Sequence, residues 1–391
     1  MNVRQYAMIS DVVQQTRAGR MSRRDAIRLL GGVGLGLAGL TTLGRRPVFA
    51  QEGTPPAVAT PQVGKQPDGS TLWRVKVGDM MMAELIELHT FFPSEITFNA
   101  GDSIWFDMTM QGFHTVTFPM GGEVPPLLVP DPEAATPTAG PPKLIFNPHV
   151  VFPAGGPEFD GTAFLNSGID VFRDPSQPLI VKFTTPGSFN YLCVPHASVM
   201  HGKVNVVESG AALPMDQAAY DQAAADEMAK LYEQGRAEKQ QYAQATATQR
   251  PDGTTLWEAT MGAGGATVVR VQAILPNPLE IKVGDTVKWV NRSPGEPHTV
   301  TIVGAGATPP EDTLVESFAD GTPKFVQNPA TFLPQGGNTF AGTGFVNSGF
   351  TGIPQLGLPM DWECTFTAAG EFTTYCALHG DAKGNGMAAK L

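Results

Sequence analysis

The sequence predicts an all-β protein, built as two tandem Greek-key β-sandwiches joined by a helical linker. Three observations predict it. The first is an internal repeat at an offset of about 183 residues. Pro67-Asp68-Gly69-Ser70-Thr71-Leu72-Trp73 returns as Pro251-Asp252-Gly253-Thr254-Thr255-Leu256-Trp257. His114-Thr115-Val116-Thr117 returns as His298-Thr299-Val300-Thr301, and Asn166-Ser167-Gly168 as Asn347-Ser348-Gly349. The order is kept throughout, and two units are too few for a solenoid, so the pattern is that of a duplicated domain. The second is composition: 44 Gly and 34 Pro, with 16% charged residues, favour short strands and turns. The third is a single segment, 216 to about 241, rich in Ala, Gln, Glu and Lys and almost free of β-branched residues, as a helix requires.

Taken in chain order, residues 1–50 read as an export signal. Ser22-Arg23-Arg24-Asp25-Ala26-Ile27-Arg28 precedes an apolar, glycine-rich run from 29 to 43, and Val48-Phe49-Ala50 supplies a small-x-small cleavage site. This is the pattern of a twin-arginine signal. The apolar run falls short of the ~20 residues that a membrane helix needs. The expectation is an exported protein, periplasmic or extracellular, membrane-associated only if the signal stays uncleaved. Residues 51–65 are Pro-rich and expected to be disordered.

The two repeats, 66–208 and 250–391, read as series of short alternating strands. Residues 96–98 and 279–281 each end at a Gly-Asp turn, with 104–106 and 287–289 as their expected partners. Residues 179–183 and 188–192 read as a hairpin about Pro186-Gly187, echoed by 362–367 and 371–375 about Ala369-Gly370. Two Pro/Gly-rich stretches, 119–160 and 304–340, are long for loops, which marks function or disorder. In the linker, 209–249, Pro214 suits a helix start. A thin apolar stripe of Met215, Ala219, Met228, Leu231 and Tyr232 is expected to pack on one domain or to space the two.

The chemistry sits near the end of each repeat. Tyr191-Leu192-Cys193-Val194-Pro195-His196, followed by Met200, returns as Tyr375-Cys376-Ala377-Leu378-His379, followed by Met387. A thiolate, an imidazole and a thioether on one loop form a soft ligand set, which selects copper over magnesium or calcium. With an upstream His from a neighbouring strand, the candidate metal ligands are His114, Cys193, His196 and Met200 in the first repeat. In the second they are His298, Cys376, His379 and Met387. Two imidazoles and a thiolate in a trigonal set, with a weak axial thioether, make a blue copper site. Three residues separate His196 from Met200, whereas seven, including Gly380, Gly384 and Gly386, separate His379 from Met387. Unequal potentials are therefore expected. Thr115 and Thr299, directly after the upstream His, are placed to hydrogen-bond the ligand loop.

Other candidates read as structural. Cys364 aligns with Val181 on a strand and is expected in the core, and three cysteines make no disulfide framework. His201 is expected as a rim residue, and His89 and His149 as structural or surface residues. Met80-Met81-Met82 cannot all face one side of a strand, so partial burial is expected rather than a Cu(I) site. The chain stops at Leu391 where the first repeat continues Asn205-Val206-Val207, so the last strand of the second repeat reads as cut short.

These motifs resemble the cupredoxins, specifically their plastocyanin-like and halocyanin-like domains. The resemblance rests on Phe113-His114-Thr115-Val116 and Pro297-His298-Thr299-Val300, on the aromatic near each Cys, and on Cys-x2-His followed by Met. It spans roughly 66–208 and 250–391. It implies an eight-stranded Greek-key sandwich and a type 1 electron-transfer copper in each repeat, hence a one-electron carrier rather than an enzyme. The spacing from upstream His to Cys exceeds that of plastocyanin, which the Pro/Gly-rich inserts account for.

Duplicated domains of this kind also occur in multicopper oxidases and copper nitrite reductases. An oxidase cluster needs more imidazoles than the seven His of this chain supply. A nitrite-reductase-like second copper would have to draw on His89, His149 and His201, which lack that family's spacing. Copper storage or delivery is the remaining alternative, with tight Cu(I) binding and no reversible redox cycling. Residues 1–50 carry eight Arg against two Asp, so the chain beyond them stands at −17 out of a total of −11. That balance disfavours nucleic acid and suits a basic redox protein as partner.

Overall fold

The computed structural model describes residues 60–108, 112–135, 142–173 and 177–391. The expected export signal, residues 1–50, lies outside them. The described residues are mostly β-strand with few helices, and none of their helices is long and apolar enough to cross a membrane.

In the first repeat, Thr71–Met81, Ser103–Asp107 and Leu179–Phe183 lie in one sheet. Leu165–Asn166, Thr117–Phe118, Gly187–Leu192, His201–Val207 and Glu95–Asn99 form a second. Val75, Phe106 and Phe183 from the first sheet meet Phe98, Phe118 and Val204 from the second in one buried cluster, as in a face-packed sandwich. The second repeat builds the same way. Thr255–Ala263, Thr286–Val290 and Asp361–Phe366 lie in one sheet, and Phe345–Asn347, Thr301–Val303, Thr373–Gly380 and Gly386–Lys390 in another. Met261, Trp289 and Phe366 pack there against Ile302, Val346 and Met387.

Several expected pairings are corrected. Leu179–Phe183 pairs with Ser103–Asp107, while Gly187–Leu192 pairs with His201–Val207, so the chain at Pro186-Gly187 crosses between sheets instead of turning a hairpin. Asp361–Phe366 and Thr373–Gly380 repeat that crossing. Glu95–Asn99 pairs with His201–Val207, not with Ser103–Asp107, and residues 279–281 form no strand. The reason is physical: alternation reports which face of a strand is buried, and two strands on opposite layers alternate just as a hairpin does. The segment expected to be disordered up to 65 is ordered at its end, where Gly64–Lys65 pairs with Leu72 and Thr71.

The repeats are joined at a seam. Ile86–Phe92 pairs antiparallel with Val269–Leu275, so one 12-stranded sheet runs through both repeats. Each seam strand follows the equivalent long strand of its own repeat. The seam register sets Leu88 opposite Val269, Glu87 opposite Arg270 and Ile86 opposite Val271.

The helix Gln217–Gln241, capped by Asp216 through the Ala219 amide, packs on both seam strands. Ala224 and Tyr232 lie in one cluster with Ile86, Leu88, Phe92 and Val269. At Gly235 a side chain would stand 2.5 Å from Ile86 Cγ2, so glycine permits the close approach. The helix thus neither spaces the repeats nor packs on one of them. Its buried face is Tyr220, Ala224, Tyr232 and Gly235 rather than the whole expected stripe.

The described residues of the long inserts are structured. Leu128–Pro130 and Leu144–Phe146 form one hairpin, Thr313–Ser317 and Pro323–Gln327 another, and Ile145 pairs with Val326 to make a single four-stranded sheet shared by both repeats. Lys324 is buried in it, 3.0 Å from Asp131 and 2.8 Å from Glu133. Phe325 stacks on Phe172 at 4.3 Å and packs with Leu192 and Val194. The insert of the second repeat thereby covers the ligand loop of the first.

Candidate metal centre

Each donor is held by backbone closure. The amide of Cys193 donates to the carbonyl of Met200 at 3.0 Å, and the amides of Val199 and Met200 donate to the carbonyl of His196 at 3.0 and 2.8 Å. Residues 193–200 therefore form one tight loop. His114 arrives on the extended segment before Thr117–Phe118. Its amide donates to Asp170 Oδ1 at 2.9 Å, and the Val116 amide donates to Ser167 Oγ at 2.8 Å. The Asn-Ser-Gly motif thus anchors the upstream His, and Ser348 repeats the contact on Val300 at 2.8 Å.

The structure brings the predicted donors together twice. In the first repeat, His114 Nδ1 lies 3.1 Å from His196 Nδ1, and Cys193 Sγ lies 3.4 Å from His196 Nδ1 and 3.8 Å from His114 Nδ1. In the second, the corresponding distances among His298, Cys376 and His379 are 3.2, 3.4 and 3.8 Å. Thr115 and Thr299 hydrogen-bond the loop: each amide donates to the Cys sulfur at 3.4 Å, and each hydroxyl accepts the amide of the residue after the Cys at 2.8 Å.

Met200 and Met387 are fully buried, each in the core cluster of its own Cys. Leu192 pairs with His201 and Tyr375 with Ala388, so both methionines stand one step beyond equivalent pairs. The longer second loop is ordered: Gly380 pairs with Gly386, and Asp381 Oδ1 accepts the amides of Lys383 and Asn385 at 2.8 and 3.1 Å. Gly386–Lys390, 5 residues against 7 for His201–Val207, pairs with Thr373–Gly380 across a register shift between Tyr375 and Gly380. On its other side stands no parallel strand like Glu95–Asn99 but the Leu279 amide, which donates to the Lys390 carbonyl at 2.9 Å.

The donor set fits a single soft ion. A point equidistant from the corners of either N,N,S triangle lies about 2.0 Å from each, close to the length of a metal–imidazole bond. The electrostatics agree. Burial pushes the Cys376 thiol up, yet His379 and His298 outweigh it and hold the group well below the usual thiol range. Burial disfavours charge on His114, but Cys193 and Glu87 hold its imidazole well above the ordinary value. Cys376 and Glu296 do the same for His379, while burial and the neighbouring His89 and His114 hold His196 well below it.

The surroundings contain residues that sequence reasoning missed. Gly78 and Gly262 have φ of 68° and 71° and sit at register shifts in equivalent strands. A Cβ there would stand 2.6 Å from His114 Nε2 and 2.2 Å from His298 Nε2. Their recurrence at aligned positions was the available signal. Glu87 and Glu296 each reach one donor imidazole, with Oε1 3.5 Å from His114 Nε2 and 3.4 Å from His379 Nε2 respectively. His89 is 1% exposed. It stacks on His196 with ring centroids 3.7 Å apart, and His89, His196 and Glu296 each bring a donor atom within 4.8 Å of the others. His149 and His201 are exposed. Cys364 is buried on its strand, where burial pushes its thiol up to about 12. Met80 and Met81 are half-buried and Met82 is exposed.

No family model and no curated protein matches the chain. Among solved structures, a pseudoazurin from Methylobacterium extorquens AM1 aligns over 40% of this chain and 98% of its own, at 18% identity and TM-score 0.18. A multicopper oxidase aligns over 84% and 92%, at 14% identity and TM-score 0.19. A copper nitrite reductase from Nitrosomonas europaea aligns over 82% and 93%, at 12% identity and TM-score 0.16. Likenesses this weak carry no argument about what the chain does.

Proposed function

We propose that the chain is an exported blue copper protein with two mononuclear type 1 sites, acting as a one-electron carrier. In this reading 66–208 and 250–391 are tandem cupredoxin domains joined by the helical linker 209–249. The observation that carries it is the convergence, twice, of one thiolate and two imidazole Nδ1 atoms into a triangle sized for one ion, with a buried Met beside each Cys. His114, Cys193, His196 and Met200 would hold one copper, and His298, Cys376, His379 and Met387 the other. When bound, copper supplies a one-electron couple. The chain supplies rigidity: ligands fixed to a sandwich by Thr115, Thr299, Ser167 and Ser348 move little on electron gain or loss.

The histidine inventory supports carriage rather than catalysis, His89 being the one further buried imidazole. Four of the seven are spent on the two sets, and His149 and His201 stand exposed. The negative balance of the exported chain suits a basic redox protein as partner. Addition of Cu(II) to the apo-protein tests the reading. Two copper ions per chain and an intense thiolate charge-transfer band in the visible are expected. A colourless product, or tight Cu(I) binding that does not cycle, would favour storage or delivery.

A further inference from the structure

The two donor sets are connected through the seam by buried side chains. Beginning in the first repeat, the His196 ring stacks on the His89 ring, centroids 3.7 Å apart and planes 30° apart. His89 Nδ1 lies 3.8 Å from Glu296 Oε2. Glu296 Oε1 lies 3.4 Å from His379 Nε2, in the donor set of the second repeat. A branch runs from His114 Nε2 through Glu87, whose Oε2 is 3.3 Å from His89 Nε2. His89 and Glu296, in the middle of the passage, are 1% and 4% exposed.

The fold alone gives no reason for this arrangement. Neither ring nitrogen of His89 makes a well-formed hydrogen bond, the nearest partners being carboxylates at 3.3 and 3.8 Å, and a buried polar group left without any partner costs about 1–3 kcal/mol. Buried groups left in that condition call for an explanation. The charges, by contrast, are tended: Arg270 Nε lies 3.6 Å from Glu296 Oε2, and Gln272 Nε2 donates to Glu87 Oε2 at 3.1 Å. The pairing of Ile86–Phe92 with Val269–Leu275 thus places Glu87 and His89 between the two donor sets, and Arg270 on the partner strand reaches Glu296 in the adjoining loop.

We propose that the two centres exchange electrons inside the molecule through His89 and Glu296, so that an electron entering at either centre can reach the other. The inference rests on the electron-carrier reading. In the exchange one electron leaves the metal of one set, which is oxidised by one, and enters the metal of the other, which is reduced by one. No bond is made and no proton moves. His89 and Glu296 act through the ligands they touch and are positioning residues.

The test uses the full chain loaded with two copper ions and carrying Met387→Gln, which changes the axial ligand and so separates the second spectrum from the first. A light pulse with a photoreductant, far below one equivalent, reduces either centre, and the redistribution between the two bands is followed. The rate is expected to be independent of protein concentration. His89→Leu and Glu296→Gln should each slow it about ten- to hundredfold, with both bands and the two-copper count retained. If His89→Leu loses a band, Glu296→Gln decides. A rate proportional to protein concentration, or one unchanged in the variants that keep both bands, overturns the proposal while leaving the carrier reading intact. Failure of any charge-transfer band to form overturns the carrier reading and this inference with it.

Discussion

The two donor sets agree to within 0.1 Å in every donor-to-donor distance, yet their surroundings have diverged. In the first repeat a carboxylate reaches the upstream imidazole, Glu87 on His114; in the second a carboxylate reaches the loop imidazole, Glu296 on His379. Asp170 accepts the His114 amide, and burial pushes its carboxyl up to about 7. The equivalent residue on His298 is Thr351, whose hydroxyl donates to the His298 carbonyl at 3.0 Å. Val194 in the first loop lies under Phe325 from the other repeat, whereas His379 keeps 23% of its side chain exposed. Under the proposed reading, donor geometry is set by what one ion demands. The shell outside it is free to vary, and charge and solvent access there tune a metal site.

The largest test of this comparison removes one centre at a time. Cys193→Ala and Cys376→Ala should each halve the copper content and leave one charge-transfer band. Potentiometry on the two survivors should return two different potentials, and equal values would mean that the divergent shells are without electronic effect.

Next come the glycines that the repeats share. Gly78→Ala and Gly262→Ala place a methyl against a donor imidazole and impose a positive φ on an L-residue, which costs roughly 1–2 kcal/mol. Copper affinity at the matching site should fall about ten- to hundredfold, more for Gly262, where the approach is closer. Retained affinity in a competition titration would show that the ring can move aside.

The smallest effect on the centres, though a clear one on stability, belongs to the shared insert sheet. Burial disfavours charge on Lys324, but its hydrogen bonds to Glu133 and Asp131 outweigh that and raise its pKa. Asp131 is lowered despite burial, by Lys324 among others. Lys324→Met should cost on the order of 3 kcal/mol in denaturant unfolding, as for one partner removed from a buried pair. The sign is set by linkage. The Asp131 contribution is present above the unfolded carboxylate value of about 4 and lost as pH falls through its lower folded value. The Lys324 contribution is present below about 10.4 and lost only as pH rises through its higher folded value. The gap between wild type and variant should therefore hold across neutral pH and close in acid.

The clustering of thiol and imidazoles was legible in the sequence because softness and spacing are local: Cys193 and His196 fall within one loop, and His114 was found by its repetition at His298. The sandwich was legible as alternating strands, but the pairing was not. Residues 179–183 and 187–192 alternate whether they pair or face one another across a core. The seam was harder still, since nothing in Ile86–Phe92 announces that its neighbour is Val269–Leu275 from the other repeat. His89 and Glu296 carry no spacing pattern, and they gain meaning only when the seam sets His89 beside the strand whose Arg270 reaches the loop residue Glu296.

That seam also settles which half can mate with which. Ile86–Phe92 and Val269–Leu275 hold equivalent places, so the contact is self-complementary in outline, and an isolated half would offer the same bare edge to its own twin. At the centre of the register, however, Glu87 meets Arg270. Two first halves would set Glu87 against Glu87, two second halves Arg270 against Arg270, and like charges directly opposite are destabilising. Only unlike halves set opposite charges facing each other in that register, so one strand position acts as a password that favours the sibling over the copy.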